Sequence, residues 1–231
     1  MTDLILHQYA LSPYSKKVIS IFAFKNLAWQ AVEQPVIAPK PDLTPLTGGY
    51  RKIPVLQIGA HIYCDTKLII REIEKRHPDT PLTPPAILGA AELLADWADY
   101  RLFSHAAAPS IFEIGELVPK DFLADRAAMQ RPEVLAAALP VDHVKAQFVL
   151  DLQMINRQLE ATPFMLGDRF TLADAATFHV LNFACSAPSL AAEVSKHPAI
   201  AKWLKGILDM GEGHRSDIQP ADALAMALDS A

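Results

Sequence analysis

Apolar and polar positions change period near residue 80. Before it, short apolar runs alternate with amphipathic ones. Residues 3–7 are rich in Leu and Ile and read as a short buried strand. Ser12 stands where a helix N-cap belongs, with Pro13 at the first helical position. Val18, Ile19, Phe22 and Ala23 then share one face, and Asn26, which tolerates a left-handed backbone, ends the helix. Residues 29–33 read as a second strand. Residues 35–49 hold four prolines and two glycines and read as loop, with a short helical turn over 42–46. Residues 54–58 and 61–63 form a hairpin, with Gly59 suited to the first position of a type II′ turn. Asp65-Thr66 opens a helix with Leu68, Ile69, Ile73 and Arg76 at helical spacing, and Pro78 stops it. The order βαβ then ββα predicts a small mixed sheet with helices on its faces.

Residues 77–85, HPDTPLTPP, hold four prolines in nine positions and read as a stiff linker. The expected domains are 1–79, a linker over 80–85, and 86–231. Beyond the linker no strand is evident. Residues 86–107 form a helix with Leu93, Leu94, Trp97, Arg101, Leu102 and His105 at helical spacing. A further helix spans 121–130 and breaks at Pro132. Residues 141–161 carry Val144, Phe148, Leu152, Ile155 and Leu159 in register. Residues 171–185 are apolar all round and read as the buried centre of a helical domain. His197-Pro198 precedes an amphipathic helix, residues 211–217 read as loop, and 220–228 as a last helix.

Composition narrows the classes. The chain has 231 residues, 51% hydrophobic and 20% charged, and is globular in type. A net charge of −5 argues against a nucleic-acid backbone as partner. No apolar run reaches the length of a membrane span, and the first residues lack the basic and apolar regions of a signal peptide. The two cysteines, Cys64 and Cys185, read as buried free thiols of a cytoplasmic protein. The eight histidines show no metal-ligand spacing, so no metal is expected.

Three stretches carry candidate chemistry. A helix N-terminus at Ser12-Pro13-Tyr14-Ser15 presents unpaired N–H groups that stabilise a thiolate, and a serine hydroxyl donates one bond more. By itself Ser12 also reads as a plain N-cap. Ile53-Pro54 opens a strand with a residue that cannot donate to the ladder; taken alone an X-Pro bond is cis in only ~5–6% of cases, which favours an ordinary strand start. Asp65-Thr66 offers a carboxylate, a hydroxyl and helix N–H groups to a ligand with an ammonium and a carboxylate, or serves as an N-cap alone.

These stretches, LILHQYALSPYSKKV, RKIPVLQIGAHIYCDT and, downstream, GDRFTLADAATFHVL, together resemble the glutathione transferase superfamily, and in particular serine-type members of the tau, zeta and omega kind. The resemblance implies a thioredoxin-like α/β N-terminal domain, an all-α C-terminal bundle and a homodimer. It implies glutathione as co-substrate, conjugated to a small hydrophobic electrophile, with glutathione-dependent isomerisation, dehalogenation or a non-catalytic binding role as alternatives. It casts Ser12 as catalytic, with Tyr9 as the alternative; Ser15 is turned away by the helix. A cysteine stands at the Ser12 position in glutaredoxins, so disulfide reduction is not expected. Ile53, before a cis Pro54, would pair its backbone with the cysteinyl part of glutathione. Asp65 and Thr66, where Glu-Ser is commoner, would take the γ-glutamyl group, and Lys52 and Lys40 the glycyl carboxylate. Thr171 and Asp174 match a capping box whose role is folding. Tyr14, Phe103, Ala107, Phe112 and Phe164 are candidates for a second-substrate pocket between the domains.

Overall fold

The computed structural model describes residues 4–129 and 139–230. The chain divides into two compact units, Met1–Pro81 with Met210–Ala231, and Leu82–Asp209.

The first unit is a five-stranded mixed sheet. Its strands are β1 (Leu4–Gln8), β2 (Ala28–Glu33), β3 (Val55–Ile58), β4 (His61–Cys64) and β5 (His214–Asp217), in the order β4-β3-β1-β2-β5. β1 runs parallel to β2 and antiparallel to β3, and β3 pairs β4 as a hairpin. Gly59 has φ 58 at the first turn position. The helices are α1 (Pro13–Phe24), α2 (Thr44–Thr47) and α3 (Thr66–Arg76). Asn26, just past the α1 C-cap, has φ 53, as its position at the helix end requires.

Side-chain alternation splits the sheet into two faces. Register pairs Leu6 with Ala31 and Leu56, so these share a face with Trp29. There α1 packs, Phe22 lying 5.4 Å from the Trp29 ring. The Lys25 ammonium, fully buried at the end of α1, meets Glu74 at 2.7 Å and the carbonyls of His77 and Thr80 at 2.8 and 2.7 Å. It fastens α1 to the end of α3. In α3 the inward residues are Thr66, Ile69, Ile70 and Ile73, whereas Leu68 points to solvent. Ile70 takes the place that spacing assigned to Leu68.

The opposite face carries Ile5, His7, Val32 and Val55. It is covered by a helix from the far end of the chain, Pro220–Asp229, whose Ala223 closes a core with Ile5 and Val32. Residues 210–231 therefore belong to the first unit, where the sequence reading put them in the helical domain with 211–217 as loop. His214–Asp217 instead forms β5, parallel to β2. Four polar, exposed residues have no alternation to betray a strand; pairing with β2 alone defines it. Gly213 makes the entry feasible: its φ is 71, and a Cβ there would lie 2.7 Å from the Leu27 carbonyl oxygen.

The second unit is helical. We name its helices α4 (Leu88–Asp96), α5 (Phe103–Glu113), α6 (Phe122–Ala127), α7 (Val141–Ala161), α8 (Leu172–Ala184), α9 (Pro188–Ser195) and α10 (Pro198–Asp209); Pro220–Asp229 is α11. A π-helical turn, Trp97–Leu102, joins α4 to α5. The end expected for α6 at Gln130 and Pro132 lies outside the described residues. α8 is the buried centre, as its apolar character predicts. All five spaced residues of α7 are buried. In α4 the inward stripe is Ala91, Ala95 and Ala98, whereas Leu93 is 73% exposed. Small residues let α4 approach α8 closely, and the π turn resets the phase that spacing had extrapolated. Two buried pairs cross the bundle, His105 with Asp151 at 2.6 Å and His179 with Asp99 at 3.0 Å.

Candidate functional site

Strand register decides what comes together in the first unit. His7 pairs with Val55, and Val55 pairs with Cys64. The end of β1, the start of β3 and the end of β4 therefore lie side by side. Ser12 follows the first, Ile53-Pro54 precedes the second, and Asp65-Thr66 follows the third. Three stretches distant in sequence leave one end of one sheet.

Ser12 is the α1 N-cap, its oxygen accepting the Ser15 N–H at 3.2 Å, with Pro13 in the first turn. It is buried, and what the hydroxyl retains is its proton. Ser15 is buried on the face shared with Val18, Ile19 and Phe22. Tyr9 is half-buried, with the Lys40 ammonium 5.6 Å from its ring centroid. Lys40 is itself buried and donates to the Pro35 carbonyl, so its charge is engaged within its own loop. Lys52 is exposed.

The Ile53–Pro54 bond is cis. So is Ala38–Pro39, which nothing in the local sequence distinguished. Asp65 caps α3, a carboxylate oxygen accepting the Lys67 N–H at 2.9 Å. Its backbone sits at φ 75, ψ 136, a region in which side chains are strained. Thr66 is buried directly behind it.

One residue here escaped the sequence reading. The phenol of Tyr50 lies beside Asp65 and Cys64; burial first, then the Asp65 charge, pushes it up to about 12, and a hydrogen bond from the Asp65 backbone pulls the other way. A tyrosine four positions ahead of Pro54, in a run of glycines and cations, was the available signal. Burial and Asp65 likewise push the Cys64 thiol up, so it rests as thiol. Cys64 is half-buried and Cys185 exposed, both free; the expectation of two buried thiols fails at Cys185, which lies just past the end of α8.

Tyr14 is half-buried in α1. In the helical unit, Phe103 is half-buried, 6.2 Å from both the His179 and Phe183 rings. Ala107 is half-buried one turn on, while Phe112 is 82% exposed at the end of α5. Phe164 packs edge-on against Phe170 at 6.4 Å, inside a tight turn closed by bonds to Gly167. The Thr171–Asp174 capping box is present. Among the described residues no group of three or more His, Cys, Asp or Glu is placed to hold a metal ion, and no helix is long and apolar enough to cross a membrane.

Comparison with known proteins adds independent observations. Residues 6–81 match the family model for the glutathione S-transferase N-terminal domain, and residues 127–206 that for the C-terminal domain. No curated protein matches the chain in sequence. Among solved structures, a GST-like protein from Pseudomonas syringae superposes with TM-score 0.82 at 36% identity, over 100% of this chain and 76% of that one. A glutathione S-transferase from Methylobacillus flagellatus, solved with GSH bound, matches with TM-score 0.66 at 21% identity, over 90% of this chain and 98% of that one. The beta-etherase LigF from Sphingobium matches with TM-score 0.65 at 16% identity, over 90% and 98%. A thioredoxin-like sheet, a helical unit and two domain matches in the same order lead to one conclusion: the chain belongs to the glutathione S-transferase superfamily.

Proposed function

We propose that this protein binds glutathione and transfers its sulfur to a small hydrophobic electrophile, as a serine-type member of the superfamily. The observation that carries the reading is the register of β1, β3 and β4, which gathers Ser12, Ile53-Pro54 and Asp65-Thr66 at one sheet end.

The residues fit such a ligand. Asp65 keeps one carboxylate oxygen beyond its cap bond and pairs with the γ-glutamyl ammonium. The first N–H groups of α3 and the Thr66 hydroxyl receive the α-carboxylate. The Ile53 backbone, ahead of β3, pairs with the cysteinyl segment as an added strand. Lys52 is the exposed cation for the glycyl carboxylate. The sulfur then meets the N-terminus of α1, whose N–H groups and the Ser12 hydroxyl favour thiolate over thiol. About two pKa units below the ordinary thiol value leave most of the sulfur ionised at neutral pH, worth roughly 1.36 kcal/mol each. Tyr9 is the alternative donor. For the electrophile, Phe103 and Ala107 offer half-buried apolar surface in the helical unit, and Tyr14 does so in the first unit.

Two faces support a homodimer. α3 exposes Lys67, Arg71 and Lys75 beside Leu68, and α4 exposes Glu92 and Asp96 beside Leu93 and Tyr100. Each face sets apolar beside charged residues, and the two faces carry opposite sign, which suits contact with a second copy. The free thiols suit a cytoplasmic setting.

Calorimetric titration with glutathione tests the reading. Micromolar to millimolar affinity that collapses in Asp65→Ala, with turnover of an aromatic halide, supports it. Binding without turnover of any halide would leave a ligand-binding module, and no binding by the wild type would overturn the reading.

A further inference from the structure

The loop from β1 to α1, residues 9–11, carries Tyr9 and leads into Ser12. It runs along the surface: Ala10 is exposed and Leu11 is 39% exposed. Within it a turn closes on itself, the Ser12 N–H donating to the Tyr9 carbonyl at 2.9 Å. A bond from outside the loop comes from the last residue of β2.

Strand register sets Gln8, at the end of β1, directly opposite Glu33, at the end of β2. Both continue the row of Leu6 and Ala31, so both side chains stand on the face where α1 packs. There the chain lifts off the sheet toward α1 and passes the Glu33 carboxylate. Oε1 accepts the Ala10 N–H at 3.2 Å, and Oε2 accepts the Gln8 amide N–H at 2.6 Å. Gln8 is buried, and its carbonyl accepts the Gln34 N–H at 2.7 Å. One carboxylate thus ties an exposed loop N–H to a side chain fixed in the sheet. The segment after β2 meets the loop a second time, where the Lys40 ammonium lies 5.6 Å from the Tyr9 ring centroid.

The charge of Glu33 does not serve a thiolate. A negative group beside the loop opposes ionisation of a sulfur brought to Ser12. What an acid gains at this place is the strength of the two bonds it accepts, since a charged acceptor binds N–H groups more firmly than a neutral one.

We propose that Glu33 is a positioning residue for the thiolate site. It fixes the Ala10 peptide, and through it the turn from Tyr9 to Ser12, and so holds the Ser12 hydroxyl on the sulfur. The inference rests on the glutathione reading above and deepens it. Without the carboxylate the Ala10 N–H turns to water and the turn is free to shift. The hydroxyl then spends part of its time off the sulfur.

The pH at which bound glutathione ionises tests this, read from thiolate absorbance in protein saturated with glutathione. Glu33→Ala should raise it by about half a unit to one unit, a three- to tenfold loss of thiolate at a fixed pH below it. Glu33→Gln should restore the wild-type value or fall below it. Glutamine keeps an acceptor for the Ala10 N–H and, with the Gln8 amide turned over, a bond to Gln8, while losing the charge. In a Ser12→Ala background, adding Glu33→Ala should change nothing further, because the effect runs through that hydroxyl. Equal downward shifts in Glu33→Ala and Glu33→Gln would show that only the charge matters and overturn the proposal. So would a Glu33→Ala protein that melts earlier but ionises bound glutathione as wild type does, or a shift that persists undiminished without the Ser12 hydroxyl. In each of these cases glutathione still binds and the reading above stands. A wild type that binds no glutathione overturns that reading and this inference with it.

Discussion

His7 on β1 and Gln57 on β3 meet across the sheet, imidazole Nε2 to amide Oε1 at 2.9 Å. The Gln34 amide reaches His7 Nδ1 at 3.3 Å, and the Gln57 amide nitrogen donates to the Ala223 carbonyl at 2.7 Å. An amide donor on Nδ1 and an amide oxygen on Nε2 define one tautomer, with the proton on Nε2. The chain joins β2, β1, β3 and the C-terminal helix under one end of the sheet.

Burial holds the His7 imidazole below its ordinary 6.5, with the Gln57 bond pulling weakly upward. The unfolded chain therefore takes up a proton at a pH where the folded one does not. Stability from His7 is fully present above the unfolded value and lost as pH falls from there through the folded value. Thermal melts between pH 7 and about 5 should show the midpoint dropping, and the slope should flatten in His7→Gln. An identical slope in the variant would assign the pH dependence elsewhere.

Ser12 and Tyr9 make opposite predictions. Ser12→Ala should raise the pH at which the bound thiol ionises by about one unit, read from thiolate absorbance, and lower turnover correspondingly. It should also cost about 0.5–2 kcal/mol in stability, because the Ser15 N–H loses its cap. Tyr9→Phe should leave the ionisation in place. The reverse pattern would transfer the catalytic role to Tyr9.

Asp174 is the most heavily used carboxylate of the helical unit. It is fully buried and accepts the Met165 N–H at 2.8 Å, the Trp203 indole N–H at 3.0 Å, and the Thr171 N–H and hydroxyl at 2.9 and 2.7 Å. Asp174→Ala strands buried donors on three elements and should cost about 3–4 kcal/mol by denaturant unfolding. Thr171→Ala should cost about 0.5–2 kcal/mol. Equal costs would show that the capping bonds alone carry Asp174's contribution.

Gly213 and Gly211 separate steric from conformational effects. Both have positive φ, but only Gly213 faces a backbone oxygen at 2.7 Å from an added Cβ. Gly213→Ala should cost about 2–3 kcal/mol and release the C-terminal strand to proteolysis, while Gly211→Ala should cost about 1 kcal/mol. Matching costs would mean that β5 entry does not depend on that contact.

Much of the fold was legible in local pattern. Ser12-Pro13 and Asn26 delimit α1 because caps are set by side chains a few bonds away. The stripe in α7 and the uniform apolarity of α8 announce their burial, because a helix buries whatever face is apolar. The capping box at Thr171 is a four-residue device, complete in the sequence.

What the sequence determined by itself was therefore local: most of the helices, the ends that a cap or proline marks, and that three stretches carry hydroxyl, proline and carboxylate chemistry at element starts; it did not show the helix Pro188–Ser195 or the π turn that splits 86–107. The tertiary structure alone decided the rest. His214–Asp217 is a strand only because β2 offers an edge from more than 180 positions away. Pro220–Asp229 roofs the first sheet because Ile5 and Val32 needed apolar cover that the four-residue α2 does not provide. Tyr50 joins Asp65 because strand pairing folds one loop against the end of another. Propensity and capping act over one or two turns, whereas sheet register, burial and strained backbone are settled by partners whose distance along the chain carries no local signal.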